Sequence, residues 1–247
     1  MAVNDHALAG ALAQQAGHRL TELRTQALDS GVSAWELGAD ADRMSHELLI
    51  EELLSHRPDD AILSEEGADD PTRLTSARTW IIDPLDGTQD YPYRDNAEWA
   101  VHVALVEAGR PTAAAVSVPG MGRLFGTELS PMSVRSERAA PLVVSSRAGT
   151  YLGGEVARHL GGRLTACGSA GVKAMLVVGG DADVYVHSSG LWEWDVCAPA
   201  AVASAAGMTV ADLEGAEIEY NKEHPVVRGL VVCRPEFVET VGEALGW

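Results

Sequence analysis

No apolar stretch in this 247-residue chain reaches the length of a membrane-spanning helix. Its opening, MAVNDHALAGALAQQAGHRL, has neither the basic start nor the unbroken apolar segment of a secretory signal. No run of Lys and Arg could follow a nucleic-acid backbone. Against 36 acidic residues stand 18 basic ones, and the net charge of −18 argues against polymeric nucleic acid as a partner. Cysteine is scarce: Cys167, Cys197 and Cys233 are odd in number, far apart and never in a C-x-x-C, which predicts reduced thiols instead of a disulfide framework. These absences predict a cytoplasmic protein without a membrane partner. Repeats and low-complexity linkers are missing too. Ser169 lacks the G-x-S-x-G frame of a nucleophile elbow, no G-x-x-x-x-G-K-[ST] exists, and Gly120-x-Gly122 lacks the third glycine of a dinucleotide fingerprint and reads as a hairpin turn.

What the chain does have is apolar material, 46% of its residues, enough for one large domain or two closely packed halves. Leu8, Leu12, Ala16, Leu20 and Leu23 recur at helical spacing, predicting a helix over 4–30 closed by Gly31. A second helix is expected to open near Asp40 and to end before Pro58. Short apolar runs at 61–64 and 79–82 then lead directly into acidic residues, as buried strands delivering side chains from their ends would. Strands at 99–106, 111–118 and 122–128 follow as an antiparallel meander. After Pro141 strand and helix alternate: strands at 142–145, near Leu164, 183–187 and 230–233, with helices over 151–160, 170–178, about 195–206 and from Pro235 onward. The division expected is an α+β half over 1–140 and an α/β half over 141–247.

Three acidic sites carry the chemistry. In Asp83-Pro84-Leu85-Asp86-Gly87-Thr88 the proline turns the chain just past an apolar strand, so Asp83 and Asp86 can converge while Gly87 and Thr88 offer backbone N–H groups at an expected helix start. Alone, a D-x-x-D-G reads equally as a strand exit with solvated aspartates. Ser64-Glu65-Glu66 brings adjacent carboxylates to the end of the preceding strand, which is electrostatically costly without a cation, though a solvated acidic loop has the same composition. Asp195, in Trp192-Glu193-Trp194-Asp195, opens a helix of small residues as a metal ligand or simply as a cap. Asp42 and the segment Gly168-Ser169-Ala170-Gly171-Val172-Lys173 join the candidates. Asp40 is a rival to Asp42, and Lys173, one turn into its helix, is expected either to reach a second phosphate on a substrate or to lie on the helix surface.

Taken together, Glu65, Asp83 with Asp86, and Asp195 stand in the order of the signature carboxylates of the inositol monophosphatase superfamily, which the sequence resembles over nearly its whole length. The resemblance implies a layered αβαβα sandwich and a magnesium-dependent, lithium-sensitive phosphomonoesterase. Two or three Mg2+ would be held by Glu65, Asp83, the Leu85 carbonyl, Asp86 and Asp195. It also implies that Asp42, Glu65 and Thr88 activate the attacking water, as two-metal hydrolysis requires no phosphoenzyme. Substrate contacts are implied for Asp86, Gly87, Thr88, Ser169, Lys173 and Asp195. Gly168-Ser169 with Lys173, Glu193-Trp194-Asp195, Asp212-Leu213-Glu214-Gly215 and Tyr220-Asn221 look like the CysQ-type 3′(2′),5′-bisphosphate nucleotidases of sulfate assimilation, which hydrolyse 3′-phosphoadenosine 5′-phosphate to AMP. A small phosphorylated metabolite, in this branch a nucleotide bisphosphate, is the partner implied, and the composition allows a homodimer. The pattern departs from the superfamily at Gly38-Ala39-Asp40-Ala41-Asp42, which lacks the usual hydroxyl lead, and at Gln89-Asp90-Tyr91, which replaces a Glu-Phe. Inositol monophosphatase and fructose-1,6-bisphosphatase activities remain as alternatives within the superfamily. Outside it stand a non-catalytic metal or nucleotide sensor and an aspartyl-phosphate enzyme, whose D-x-D-x-T loop is one residue shorter.

Overall fold

Asn4 accepts the amide of Ala7 at 2.7 Å and Gly31, at φ 78°, closes the first helix, α1 (Asp5–Ser30). In this computed structural model, which describes residues 4–129, 135–147 and 150–247, the second helix starts earlier than expected. Ser33 and Glu36 form a reciprocal capping box, so α2 runs Ala34–His56. Asp40 and Asp42 therefore lie in the body of a helix and not at its start.

The first sheet has the order β1-β2-β3-β4-β5, from β1 (Ala61–Ser64), β2 (Arg78–Asp86), β3 (Ala100–Glu107), β4 (Arg110–Val118) and β5 (Arg123–Gly126). Only β1 and β2 pair in parallel. The second sheet has the order β10-β12-β8-β6-β7, from β6 (Leu142–Ser145), β7 (Arg163–Ala166), β8 (Val184–His187), β10 (Thr209–Ala211) and β12 (Leu230–Cys233). A two-residue ribbon, β9 (Leu191–Trp192) with β11 (Val226–Val227), was not foreseen and sits at the entrance to α5 (Glu193–Ala205). The remaining helices are α3 (Thr150–His159), α4 (Ala170–Val178) and α6 (Val238–Leu245).

Strand parity assigns the layers. On β3, Val101, Val103 and Leu105 pack with α1 and α2, while Ala100, Ala104 and Val106 face α4 and α5. The middle helices also contact β8, β10 and β12, and α3 and α6 cover the far face of the second sheet. The result is the expected αβαβα sandwich. Helix α5 lies between two sheets, so Ala198, Ala200, Ala201 and Ala203 are buried on every side, and small side chains are what such a position admits. All three cysteines are free and buried. Among the described residues no helix is long and apolar enough to cross a membrane.

The second sheet is pinned by one buried charge. Asp183 is fully buried and accepts Arg135 Nε at 2.5 Å, Arg138 Nη1 at 2.9 Å and the Leu142 amide at 2.7 Å, which ties the lead into β6 to the lead into β8. Burial would raise its pKa, but these donors hold it below the usual value. Asp183→Ala leaves two guanidinium groups and an amide without their acceptor, and should lower unfolding stability by about 3 kcal/mol or more. A urea denaturation curve measures this; a loss under ~1 kcal/mol would refute the role.

Candidate active site

The DPLDGT segment does not start a helix. Strand β2 continues through Pro84 to Asp86 with a bulge between Asp83 and Asp86, and a series of turns follows in which the amides of Asp90 and Tyr91 both return to the Gly87 carbonyl. The bulge turns both aspartates the same way. Gly87 stands at φ 92°, and a Cβ there would lie 2.5 Å from the Glu98 carbonyl oxygen, so the turn requires glycine. Its outer side is braced by Tyr91, whose hydroxyl donates to the Leu20 carbonyl at 2.6 Å, and by Arg24, which lies over Trp99 and donates to the Asn96 carbonyl. Ser45 Oγ donates to the Pro84 carbonyl at 2.7 Å, fastening α2 to the same segment.

Asp83, Asp86 and Asp195 each present an oxygen, and these atoms lie within 4.8 Å of one another. Asp83 is fully buried; its Oδ1 accepts the Leu85 amide at 3.0 Å, whereas its Oδ2 has no hydrogen-bond partner among the described residues. Burial, with the charges of Glu65, Asp86 and Asp195, pushes its pKa well above the usual carboxylate range. Glu65 is an exposed residue at the edge of this group, and its carboxyl is pushed up to about 7 by desolvation and by the charges of Asp195, Glu66 and Asp86. Asp195 returns Oδ2 to the Trp192 amide at 2.9 Å, so the capping role and the clustered position coexist in one side chain. Burial and Asp86 raise it to about 6.

Asp86 differs from the others. Burial would raise it too, but His102, Ser169 Oγ at 2.5 Å and the Gly171 amide at 2.6 Å converge on Oδ2, and the Ala170 amide reaches Oδ1 at 3.1 Å. The carboxylate sits on the N-terminus of α4, and its pKa falls to about 2.

Asp42, nine-tenths buried on α2, lies 3.4 Å from Thr88 Oγ1, which is also 3.0 Å from the Leu85 carbonyl. Burial and the charges of Glu66 and Glu65 raise Asp42 to about 7. Asp40 is exposed and paired with Arg43 at 2.6 Å. Of the two rivals, the structure brings Asp42 to the cleft.

Two expected substrate contacts lie elsewhere. Ser169 is fully buried beneath Asp86, and its hydroxyl is spent on that carboxylate. Lys173 is fully buried behind the turn, its Nζ donating to the carbonyls of Cys167 at 3.1 Å and Gly168 at 2.7 Å, and burial lowers its pKa. A lysine one turn into a helix reaches its own N-terminal loop more easily than the cleft beyond it, so the ammonium holds the 167–168 turn in place of meeting a phosphate.

Two contributors, His102 and Arg147, escaped the sequence reading, and a third, Glu193, was named there without a role of its own. His102, fully buried on β3, stands 3.2 Å from Asp86 Oδ2 and 3.1 Å from the Trp194 carbonyl. Burial alone would lower its pKa, but the hydrogen bond and charge of Asp86 raise it. A histidine alternating with Val and Ala in an otherwise apolar strand was the available signal. Arg147 lines a cavity of about 390 Å3 with Asp86, Gly87, Thr88, Ser146 and Gly168, and its guanidinium is oriented by Asp90 at 2.7 Å and by Glu98. Glu193, fully buried, accepts the amides of Asn221 at 2.6 Å and Lys222 at 3.2 Å, while Asn221 bonds Arg73. That network links the loop before β11 to the first turn of α5, and so to Asp195.

The profile described as "Inositol monophosphatase family" matches residues 3–243. The 3′-phosphoadenosine 5′-phosphate phosphatase of Mycobacterium leprae (strain TN) is 40% identical over 248 residues, covering 95% of this chain and 90% of that protein. The 3′(2′),5′-bisphosphate nucleotidase CysQ of Escherichia coli (strain K12) is 33% identical over 197 residues, or 73% of this chain and 78% of that one. Among solved structures, CysQ from Bacteroides thetaiotaomicron superposes with a TM-score of 0.76 at 27% identity, covering 92% of this chain and 96% of that one. With the carboxylates in this arrangement and the match running almost end to end, the chain belongs to the inositol monophosphatase family.

Proposed function

We propose that this protein is a Mg2+-dependent phosphomonoesterase whose substrate is a nucleotide bisphosphate, 3′-phosphoadenosine 5′-phosphate, cleaved to AMP and phosphate. The observation that carries the reading is the set Asp83, Asp86 and Asp195, with the buried Asp83 Oδ2 lacking a hydrogen-bond donor among the described residues and only the His102 ring 3.7 Å away. All-oxygen donors in that number suit a hard divalent cation, and an orphaned, charge-crowded carboxylate is what a cation would satisfy. The relatives named for this reaction support the choice of substrate.

In this reading Asp83, Asp86, Asp195, Glu65 and the Leu85 carbonyl hold two or three Mg2+ ions. Bound metal supplies a lowered water pKa and charge stabilisation at the leaving oxygen. The chain's own residues do the rest. The amides of Gly87 and Thr88 seat the phosphate, and Asp42 with Thr88 Oγ1 orients the attacking water. Asp42, which is not among the residues assigned to the cations, is the carboxylate placed to take the proton of that water. Ser169 and Lys173 act indirectly, by fixing Asp86 and the 167–168 turn. Arg147 is the cation in the cavity beside the phosphate seat, and it takes the second phosphate that Lys173 was expected to meet.

Phosphate release should be fastest from 3′-phosphoadenosine 5′-phosphate, against fructose 1,6-bisphosphate and inositol 1-phosphate, and should stop in excess chelator and in Glu65→Gln. Preference for a sugar or inositol phosphate would keep the family and overturn the substrate; no metal-dependent release from any of them would point to a sensing module. Arg147→Gln should raise KM for the bisphosphate about tenfold, by loss of a charge-assisted contact, with a much smaller effect on a monophosphate. Equal effects on both would remove Arg147 from the second-phosphate role.

The carboxylates also make a pH prediction. Asp42, Glu65 and Asp195 keep their protons to higher pH folded than unfolded. Between about pH 4 and 7 the folded state thus binds more protons, and stability falls as pH rises through that window. Calorimetry in chelator should show a lower Tm at pH 7.5 than at pH 5, and saturating Mg2+ should restore Tm by several degrees at pH 7.5 but little at pH 5. A chelated Tm that climbs over the same range would contradict the assignment.

A further inference from the structure

The carboxylates that converge at this site come from different layers: Asp83 and Asp86 from the end of β2, Asp195 from the first turn of α5. Their separation is set by whatever spans the gap between β3 and the two middle helices, and His102 fills it. In the ladder His102 pairs with Asp83 on the adjacent strand, and its ring points from the first sheet into the middle layer. Nε2 lies against Asp86 Oδ2 at 3.2 Å, Nδ1 lies 3.1 Å from the Trp194 carbonyl, and Trp194 is the residue before Asp195. On the α4 side, a Cβ on Gly171 would come 2.0 Å from Nε2, so α4 carries glycine where the ring passes. A fully buried imidazole on a strand of Val, Ala and Leu is costly unless its polar atoms are used; Nδ1 is hydrogen-bonded to the Trp194 carbonyl, whereas Nε2 has only the ionic contact with Asp86 and no hydrogen-bond partner among the described residues.

We propose that His102 is a positioning residue that fixes Asp195 relative to Asp83 and Asp86, through the hydrogen bond between Nδ1 and the Trp194 carbonyl, and thereby preassembles the cation site. The proposal rests on the cation-binding reading above. Groups that orient metal ligands characteristically change metal affinity by about 10- to 100-fold when removed.

The two ring nitrogens can be tested separately in the full-length chain. An asparagine amide falls near Nδ1 and keeps the link to the Trp194 carbonyl, whereas a glutamine amide falls near Nε2 and keeps only the contact with Asp86. Mg2+ affinity is read by calorimetric titration without substrate, and Tm is read in parallel. His102→Asn should stay within about threefold of the wild-type Mg2+ affinity, and His102→Gln and His102→Ala should lose about tenfold. In steady-state assays the loss should appear as a higher Mg2+ requirement with a smaller change in substrate KM. Equal Mg2+ affinities in the Asn and Gln variants, with only Tm lowered, would show a merely structural histidine and overturn the proposal while leaving the cation reading intact. If the alanine variant does not fold, the Asn and Gln pair decides. A wild-type chain that binds no Mg2+ removes the cation reading and this inference with it.

Discussion

Four carboxylates meet at the end of β2, and only Asp86 is given enough hydrogen-bond donors to stay ionised unaided. Two backbone amides and a serine hydroxyl donate to it and the His102 imidazole makes an ionic contact, whereas Asp83 has one amide and an oxygen with no hydrogen-bond partner among the described residues. Repulsion among these groups is not relaxed by moving them apart, because each is held by its own backbone contacts. Asp83 follows the pleat of β2, Asp86 is seated on α4, and Asp195 is fixed in the first turn of α5. The fold thus maintains a concentrated negative charge that a divalent cation is suited to neutralise.

The layered architecture makes that concentration sustainable. Helices α4 and α5 lie between two sheets and both direct their N-termini at the end of β2, so partial positive charge arrives from two backbone sources. Close approach is possible because the contacting residues are small: Gly171 admits His102, Gly87 admits the Glu98 carbonyl, and α5 is built largely of alanine. Lys173 belongs to the same logic. Its charge is buried behind the 167–168 turn, where it supports the geometry of the loop that leads into Ser169 and the amides on Asp86.

Much of this was legible in the sequence, for identifiable reasons. The longer strands and α4 were readable because buried apolar runs bounded by turn residues leave few alternatives, whereas the two- and three-residue strands β9, β10 and β11 are too short to leave such a pattern. Asp83, Asp86 and Asp195 were readable because carboxylates at the ends of buried elements are costly enough to demand a purpose. The start of α2 was misplaced because Gly38 and Asp40 resemble a boundary, whereas the Ser33 and Glu36 capping box that sets it lies seven residues upstream of Asp40. Lys173 was misread because a one-dimensional spacing fixes which turn a side chain belongs to and leaves open which face it takes. His102, Arg147 and Glu193 act through partners 16 or more residues away, in pairings that depend on how the layers stack, and no local pattern carries that information.

One consequence of the charge distribution concerns how an anionic substrate enters a chain of net charge −18. Lys173 is enclosed, and Arg147 already faces Asp90 and Glu98, so side-chain cations alone give the cleft no surplus of positive charge. In the metal-dependent reading proposed above, the attraction for a phosphate comes mainly from cations recruited by the carboxylates, together with the backbone amides around Gly87. Cation and substrate binding are then coupled electrostatically, since each relieves charge that disfavours the other alone. The acidic cluster that repels a free phosphate anion becomes, once neutralised, the reason that one binds there.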